Sequence, residues 1–218
     1  VRISALATMF IITFVAPQSQ AATEGEELFD ACRSCHMDDG MGSETLAAPA
    51  IAGLPEWYIT AQLEKFVKGQ RGYHADDEVG LRMRPMASSM NHDGEPVPTD
   101  PDVAAKWDIA LEWPNVPIVA AYVSALPNPG VPATFSGDAE LGKVAYIKAC
   151  QYCHGAKGLG VEILKGPPLK GQADWYMMRQ LQSFKAGIRG TAPGDVSGKS
   201  MQNIFQSDPT TLADDAAM

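Results

Sequence analysis

The sequence predicts an all-α protein made of two tandem modules, and three observations predict it. The 218-residue chain superposes on itself at a shift of 118 residues, apolar residues within each copy recur at helical spacing, and no stretch alternates convincingly as a strand. At 45% hydrophobic content the chain can bury one large core or two of about 100 residues each. The repeat selects two.

The register is ungapped. Cys32, Cys35 and His36 fall on Cys150, Cys153 and His154; Gly40 and Gly42 on Gly158 and Gly160; Pro49 on Pro167; and Trp57-Tyr58 on Trp175-Tyr176. Gln62, Leu63, Phe66, Arg71 and Met83 meet Gln180, Leu181, Phe184, Arg189 and Met201. From Ala31 to Met83, 21 of 53 positions are identical, where unrelated sequences of average composition give roughly 3. One module has been duplicated.

The N-terminus joins Arg2 to an apolar run, Ile3 to Ala16, followed by the small residues Ser19 and Ala21. This is the anatomy of a secretory signal peptide over 1–22, cleaved after Ala21 or Ala22. The apolar run is shorter than the ~20 residues of a spanning helix, so no stable membrane span is expected after cleavage. The first module is read as 23–126, a linker of three prolines and two glycines as 127–137, and the second module as 138–218.

Leu28, Phe29 and Cys32, and in the second copy Tyr146, Ile147 and Cys150, share one face of a helix leading into each cysteine cluster. A second helix starts near Pro55 and ends at Gly69, with Ile59, Leu63 and Phe66 on its buried stripe. Met177, Leu181 and Phe184 repeat that stripe. A further helix, about 118–126, closes the first module.

With Arg2 removed, 16 basic residues stand against 26 acidic ones, a net charge of −10. Such a surface disfavours nucleic acid and favours redox protein partners with a positively charged docking patch.

All four cysteines lie in the two C-x-x-C-H clusters. A structural zinc site needs four ligands, and neither module supplies a second pair. A disulfide within each C-x-x-C explains the cysteines but not the adjacent histidine. Haem c explains all three: two cysteines three residues apart form thioethers to one porphyrin, and the next residue offers its imidazole to the iron. The cofactors read from the sequence are two haem c, held through Cys32, Cys35, Cys150 and Cys153, with His36 and His154 as axial ligands.

The sixth ligand follows by elimination. No histidine lies beyond His154, and the other two, His74 and His92, read as loop residues. Met83 lies 47 residues after His36, and Met201 lies 47 after His154. These are the axial candidates, with Met86 as the alternative in the first module. A neutral thioether favours ferrous iron, and six-coordinate iron leaves no position for substrate.

These residues resemble the class I c-type cytochromes, and the duplication resembles the two-haem cytochrome c4 family, over about 24–90 and 140–212. The resemblance implies two tandem class I cytochrome c-like domains, each wrapping one covalently bound haem. It implies proline carbonyls, at Pro49 and Pro167, that accept a hydrogen bond from each proximal histidine. It also implies that side chains after the proline loop meet the haem propionates, which by position and chemistry points to Trp57, Arg71, Trp175 and Arg189.

The function expected is periplasmic electron transfer between a quinol-oxidising donor complex and a terminal oxidase or other acceptor, with no catalytic residues. A haem subunit of a larger complex is the alternative, ahead of a dihaem oxidoreductase or peroxidase. A proline- and acid-rich insertion, 91–117, reads as a docking element. The second copy stops short of its closing helix, and the expectation is that the natural chain continues past Met218.

Overall fold

The computed structural model describes residues 18–90 and 114–207, with side chains from Glu24 onward. The apolar run of the expected signal peptide, the insertion from 91 to 113 with His92, and the tail from 208 lie outside the described residues. What is described is helical, and its only β pairings are two isolated bridges, Ser43 with Ala48 and Val161 with Gly166.

In the first module α1 (Gln18–His36) carries the cysteine cluster on its last turn. The second helix, α2 (Glu56–Val67), follows Pro55, whose fixed φ of −59° suits a helix start. It stops where Gly69 turns left-handed at φ +67°. Next comes α3 (Glu78–Ser88), capped by Asp77, whose carboxylate accepts from Gly80 N at 3.0 Å. The closing helix is α4 (Asn115–Ala125), packed against α1 and α2. Phe29, Val67, Val116 and Val123 are fully buried between them. Each such side chain contributes about 1.5–3 kcal/mol by leaving water.

The second module departs from the first at its opening helix. Here α5 (Ala139–Ala145) runs into a π-helical turn, Tyr146–Cys150, and then one α turn, α6 (Gln151–His154). Two longer helices follow, α7 (Asp174–Lys185) and α8 (Val196–Ser207). Phe184 and Phe205 form its small core with Leu181, Met201 and Ile204. The expected match between the two opening faces is therefore partial. Phe29 is wholly buried and lies 5.5 Å from the Tyr122 ring of α4, whereas Ile147 at the same register is 50% exposed. Among the described residues of the second module, no helix stands where α4 stands in the first.

The two modules bond to each other directly. Gln172 takes both backbone polar groups of Ala50, accepting from its N–H at 3.2 Å and donating to its carbonyl at 2.8 Å. In the linker, Asn128 donates to the Ala52 carbonyl of the first module at 2.8 Å. Lys65 on α2 reaches Asp195 at 2.6 Å and the Ser197 hydroxyl at 2.5 Å.

Candidate haem sites

The end of α1 brings Cys32, Cys35 and His36 within a single helical turn, and α6 with the π turn does the same for Cys150, Cys153 and His154. The chain then doubles back. Gly42 N bonds the His36 carbonyl at 3.0 Å, the Ser43–Ala48 pair closes a hairpin, and Pro49 arrives beneath the imidazole. Gly160, the Val161–Gly166 pair and Pro167 repeat this path. The result is the same bond twice: Nδ1 lies 2.8 Å from the Pro49 carbonyl in His36 and 2.8 Å from the Pro167 carbonyl in His154.

A carbonyl only accepts, so each Nδ1 carries the proton and each Nε2 keeps its lone pair. Burial lowers the pKa of both histidines, and the proline bond offsets this only in part. The rings are held neutral, the form that ligates metal. Both are 7% exposed. The Cys32 thiol is pushed up to about 11 by burial and by Cys35. All four sulfurs are unbridged, and among the described residues no three His, Cys, Asp or Glu side chains gather as zinc would need. The donor set therefore fits haem iron, one nitrogen ligand per module beside two free sulfurs.

Met83 and Met201 sit on α3 and α8, half-buried against the core of their own modules. Neither helix was among those expected from the sequence. The signal was present in Asp77 and Asp195, each followed three residues later by a glycine whose N–H it binds at 3.0 Å. Met86, the alternative, is exposed. His74 lies in a loop beside Asp76.

Arg71 and Arg189 occupy the module boundary. Arg71 stacks over Phe66 at 4.3 Å, donates to Gln62 at 3.2 Å and reaches the Tyr176 hydroxyl of the other module at 3.4 Å. Arg189 stacks over Phe184 at 4.7 Å, donates to Gln180, and crosses to Gln62 at 3.3 Å. In both, Nε is buried without a hydrogen-bond partner. A buried charged donor left open is the arrangement a propionate carboxylate would complete. Trp57 and Trp175 are half-buried, edge-on to Tyr58 and Tyr176 at 5.7 and 5.9 Å.

Comparison with known proteins decides the family: the cytochrome c model matches residues 22–108 and 139–217. The chain belongs to the cytochrome c family. This cytochrome is 31% identical to a thiosulfate dehydrogenase electron acceptor of Thiomonas intermedia, covering 88% of the chain and 79% of that protein. It is 28% identical to cytochrome c4 of Pseudomonas aeruginosa, over 88% and 84% of the two chains. Among solved structures, thiosulfate dehydrogenase (TsdBA) of Marichromatium purpuratum aligns with a TM-score of 0.59 at 27% identity, over 90% of this chain and 40% of that one. The cytochrome is thus a two-haem, cytochrome c4-like electron-transfer protein with two haem c groups. No helix among the described residues is long and apolar enough to cross a membrane.

Sequence reasoning missed three groups at these sites. Arg179, alongside Trp175 at 5.1 Å, donates to the Ala47 carbonyl of the other module at 2.9 Å and has a third buried, unpartnered Nε. Gln172 and the Lys65–Asp195 pair cross between modules. Positions 179, 172 and 65 differ between the copies, so a search for identity passed over them.

Proposed function

We propose that this cytochrome is an exported, periplasmic carrier with two histidine/methionine haems. It takes single electrons from a quinol-oxidising donor complex and passes them to a terminal oxidase or other acceptor. The observation that carries this reading is the repeated 2.8 Å bond from imidazole to proline carbonyl, with one methionine-bearing helix returning in register in each module. The haems, covalently held through Cys32, Cys35, Cys150 and Cys153, supply the one-electron iron couple. His36 and His154 would each give the iron a nitrogen ligand, and their proline bonds fix ring orientation and increase basicity. Met83 and Met201 would each supply a thioether sulfur to the same iron. Arg71 and Arg189 would meet the propionates through their unpartnered Nε–H groups, and Trp57 and Trp175 through their indole N–H.

With a histidine and a methionine on each iron, no position would be left for substrate, which favours a carrier over a catalyst. Residues 23–126 and 138–218 form the two domains, joined by 127–137. An acidic surface suits a partner with a positively charged docking patch.

A second reading concerns the donor. The relatives named as thiosulfate dehydrogenase electron acceptors, and the TsdBA structure, favour a sulfur-oxidising enzyme in place of a quinol-oxidising complex. The deciding experiment mixes oxidised holoprotein with a thiosulfate dehydrogenase and thiosulfate and follows haem reduction in the visible spectrum. Reduction dependent on the enzyme supports the second donor, and its absence leaves the quinol-linked donor.

A further inference from the structure

The two methionine-bearing helices start alike and are secured differently. Asp77, at the start of α3, accepts from Gly80 N at 3.0 Å through one oxygen and from Gly72 N at 3.2 Å through the other, both within the first module. Asp195, its counterpart at the start of α8, accepts from Gly198 N at 3.0 Å, and the same oxygen takes Lys65 Nζ of the first module at 2.6 Å. That ammonium also donates to the Ser197 hydroxyl at 2.5 Å. It ties the cap of α8 to the first turn of α8.

Three positions build this bond in one direction. In register, Val79 stands for Ser197 and has no side-chain acceptor, and Ser183 stands for Lys65 and turns its hydroxyl to the Arg179 carbonyl of its own helix at 2.8 Å. Asp76 stands for Gly194. Gly194, at φ +78°, lies so near Gln70 of the first module that a Cβ there would fall 2.9 Å from the Gln70 amide nitrogen. The turn before α8 is thus fitted to the surface that carries Lys65. Helix stability does not account for the lysine, because a cation at a helix start opposes the helix dipole.

What the lysine reaches is the support of Met201. Within α8 the Met201 N–H pairs with the Ser197 carbonyl one turn back. The Asp195 carbonyl accepts from Lys199 N at 2.8 Å in the same turn. We propose that Lys65 is a positioning residue for the second haem: from the first module it fixes the first turn of α8, and through that turn the Met201 thioether. That role rests on Met201 being the iron ligand of the proposed carrier. The first module thereby steadies a ligand of the second haem, whereas α3 is capped from within its own module.

The test uses oxidised holoprotein and imidazole, which takes the iron position a methionine vacates. Rapid mixing should show one displacement phase per haem. Met201→Leu should remove half of the near-infrared sulfur-to-iron band, and the phase it alters is that of the second haem. Groups that orient a metal ligand from outside count for about 10–100-fold in metal affinity, so Lys65→Met should quicken that phase about tenfold and leave the other unchanged. Ser197→Ala removes one acceptor and keeps the ion pair, and should quicken it about threefold. Lys65→Arg, with donors for the same two oxygens, should restore most of the original rate. Asn128→Ala, which loosens the linker contact with Ala52 and touches no part of α8, should leave both phases as they are.

A second-haem phase unchanged by Lys65→Met and by Ser197→Ala overturns the proposal. Equal quickening of both phases does so too, as does an effect of Asn128→Ala as large as that of Lys65→Met, since either would mark a general loosening. Should Lys65→Met fail to retain two haems per chain, Ser197→Ala decides alone. A band left whole by Met201→Leu overturns the ligand reading itself, while a halved band with phases indifferent to Lys65 overturns its positioning role alone.

Discussion

Lys65 Nζ lies 2.6 Å from Asp195 Oδ1, joining α2 of the first module to the cap of the methionine-bearing α8 of the second. The aspartate side chain is 1% exposed and the lysine 16%. Asp195 also holds Gly198 N, so one carboxylate serves both the helix start and the module boundary. The register counterpart of Lys65 is Ser183, so no equivalent lysine runs in the opposite direction.

Lys65→Met leaves a buried carboxylate without its cation, and breaking such a pair costs about 3 kcal/mol. Denaturant unfolding followed at the haem absorption should show a loss of that size. A change under about 0.5 kcal/mol would mean that the pair is worth no more than an exposed one.

The same pair has a pH signature. Burial lowers the Lys65 pKa from the usual lysine value, and Asp195 offsets this only in part. The unfolded chain then holds this proton more tightly than the folded one. Stability from this group is fully present above the unfolded value of about 10.4 and is lost as pH falls through the lowered folded value. The stability of the unsubstituted protein relative to Lys65→Met should therefore rise across that window. A difference flat from neutrality to pH 10 would contradict it.

Gly42 sits at φ +77°, and a Cβ there would lie 2.5 Å from the Pro49 carbonyl oxygen that accepts from His36. Gly160 is looser, with its nearest such contact, Pro168 N, at 2.7 Å and the Gly166 oxygen at 2.9 Å. Gly42→Ala should push the carbonyl off the imidazole, reduce the basicity of His36 and raise the potential of the first haem. The expected shift is below the ~59 mV that a tenfold equilibrium change represents for one electron. Spectroelectrochemical titration checks it, and Gly160→Ala should move the second haem less.

Met83→Leu and Met201→Leu should each remove half of the sulfur-to-iron charge-transfer band in the near infrared, with two haems per chain retained. Met86→Leu should leave the band intact, because its side chain is exposed. Loss of half the band on Met86→Leu would transfer the ligand role in the first module.

The two C-x-x-C-H clusters were legible in the sequence because covalent attachment would demand fixed spacing, and the prolines because they recur in register. Each imidazole Nδ1 lies 2.8 Å from the proline carbonyl thirteen residues on. Helices α3 and α8 were not legible, since Pro85 and the short apolar stripes disguise them, and only their aspartate caps announce them. The contacts of Lys65, Gln172 and Arg179 were hidden for another reason. Each works between modules, at positions where the copies differ, and a chain read against itself rewards only sameness.

Arg71 reaches toward Tyr176, and Arg189 toward Tyr58. These are the same residues with the copies exchanged, the reciprocal pattern that marks a two-fold dimer of identical subunits. The chain thus preserves the contact plan of a homodimer within one polypeptide. A true homodimer must write every substitution twice, once on each side of its axis. Fusion removes that constraint, which is what permits a lysine on one side against a serine on the other. Duplication here supplies direction to a molecule that symmetry alone would leave with two interchangeable ends.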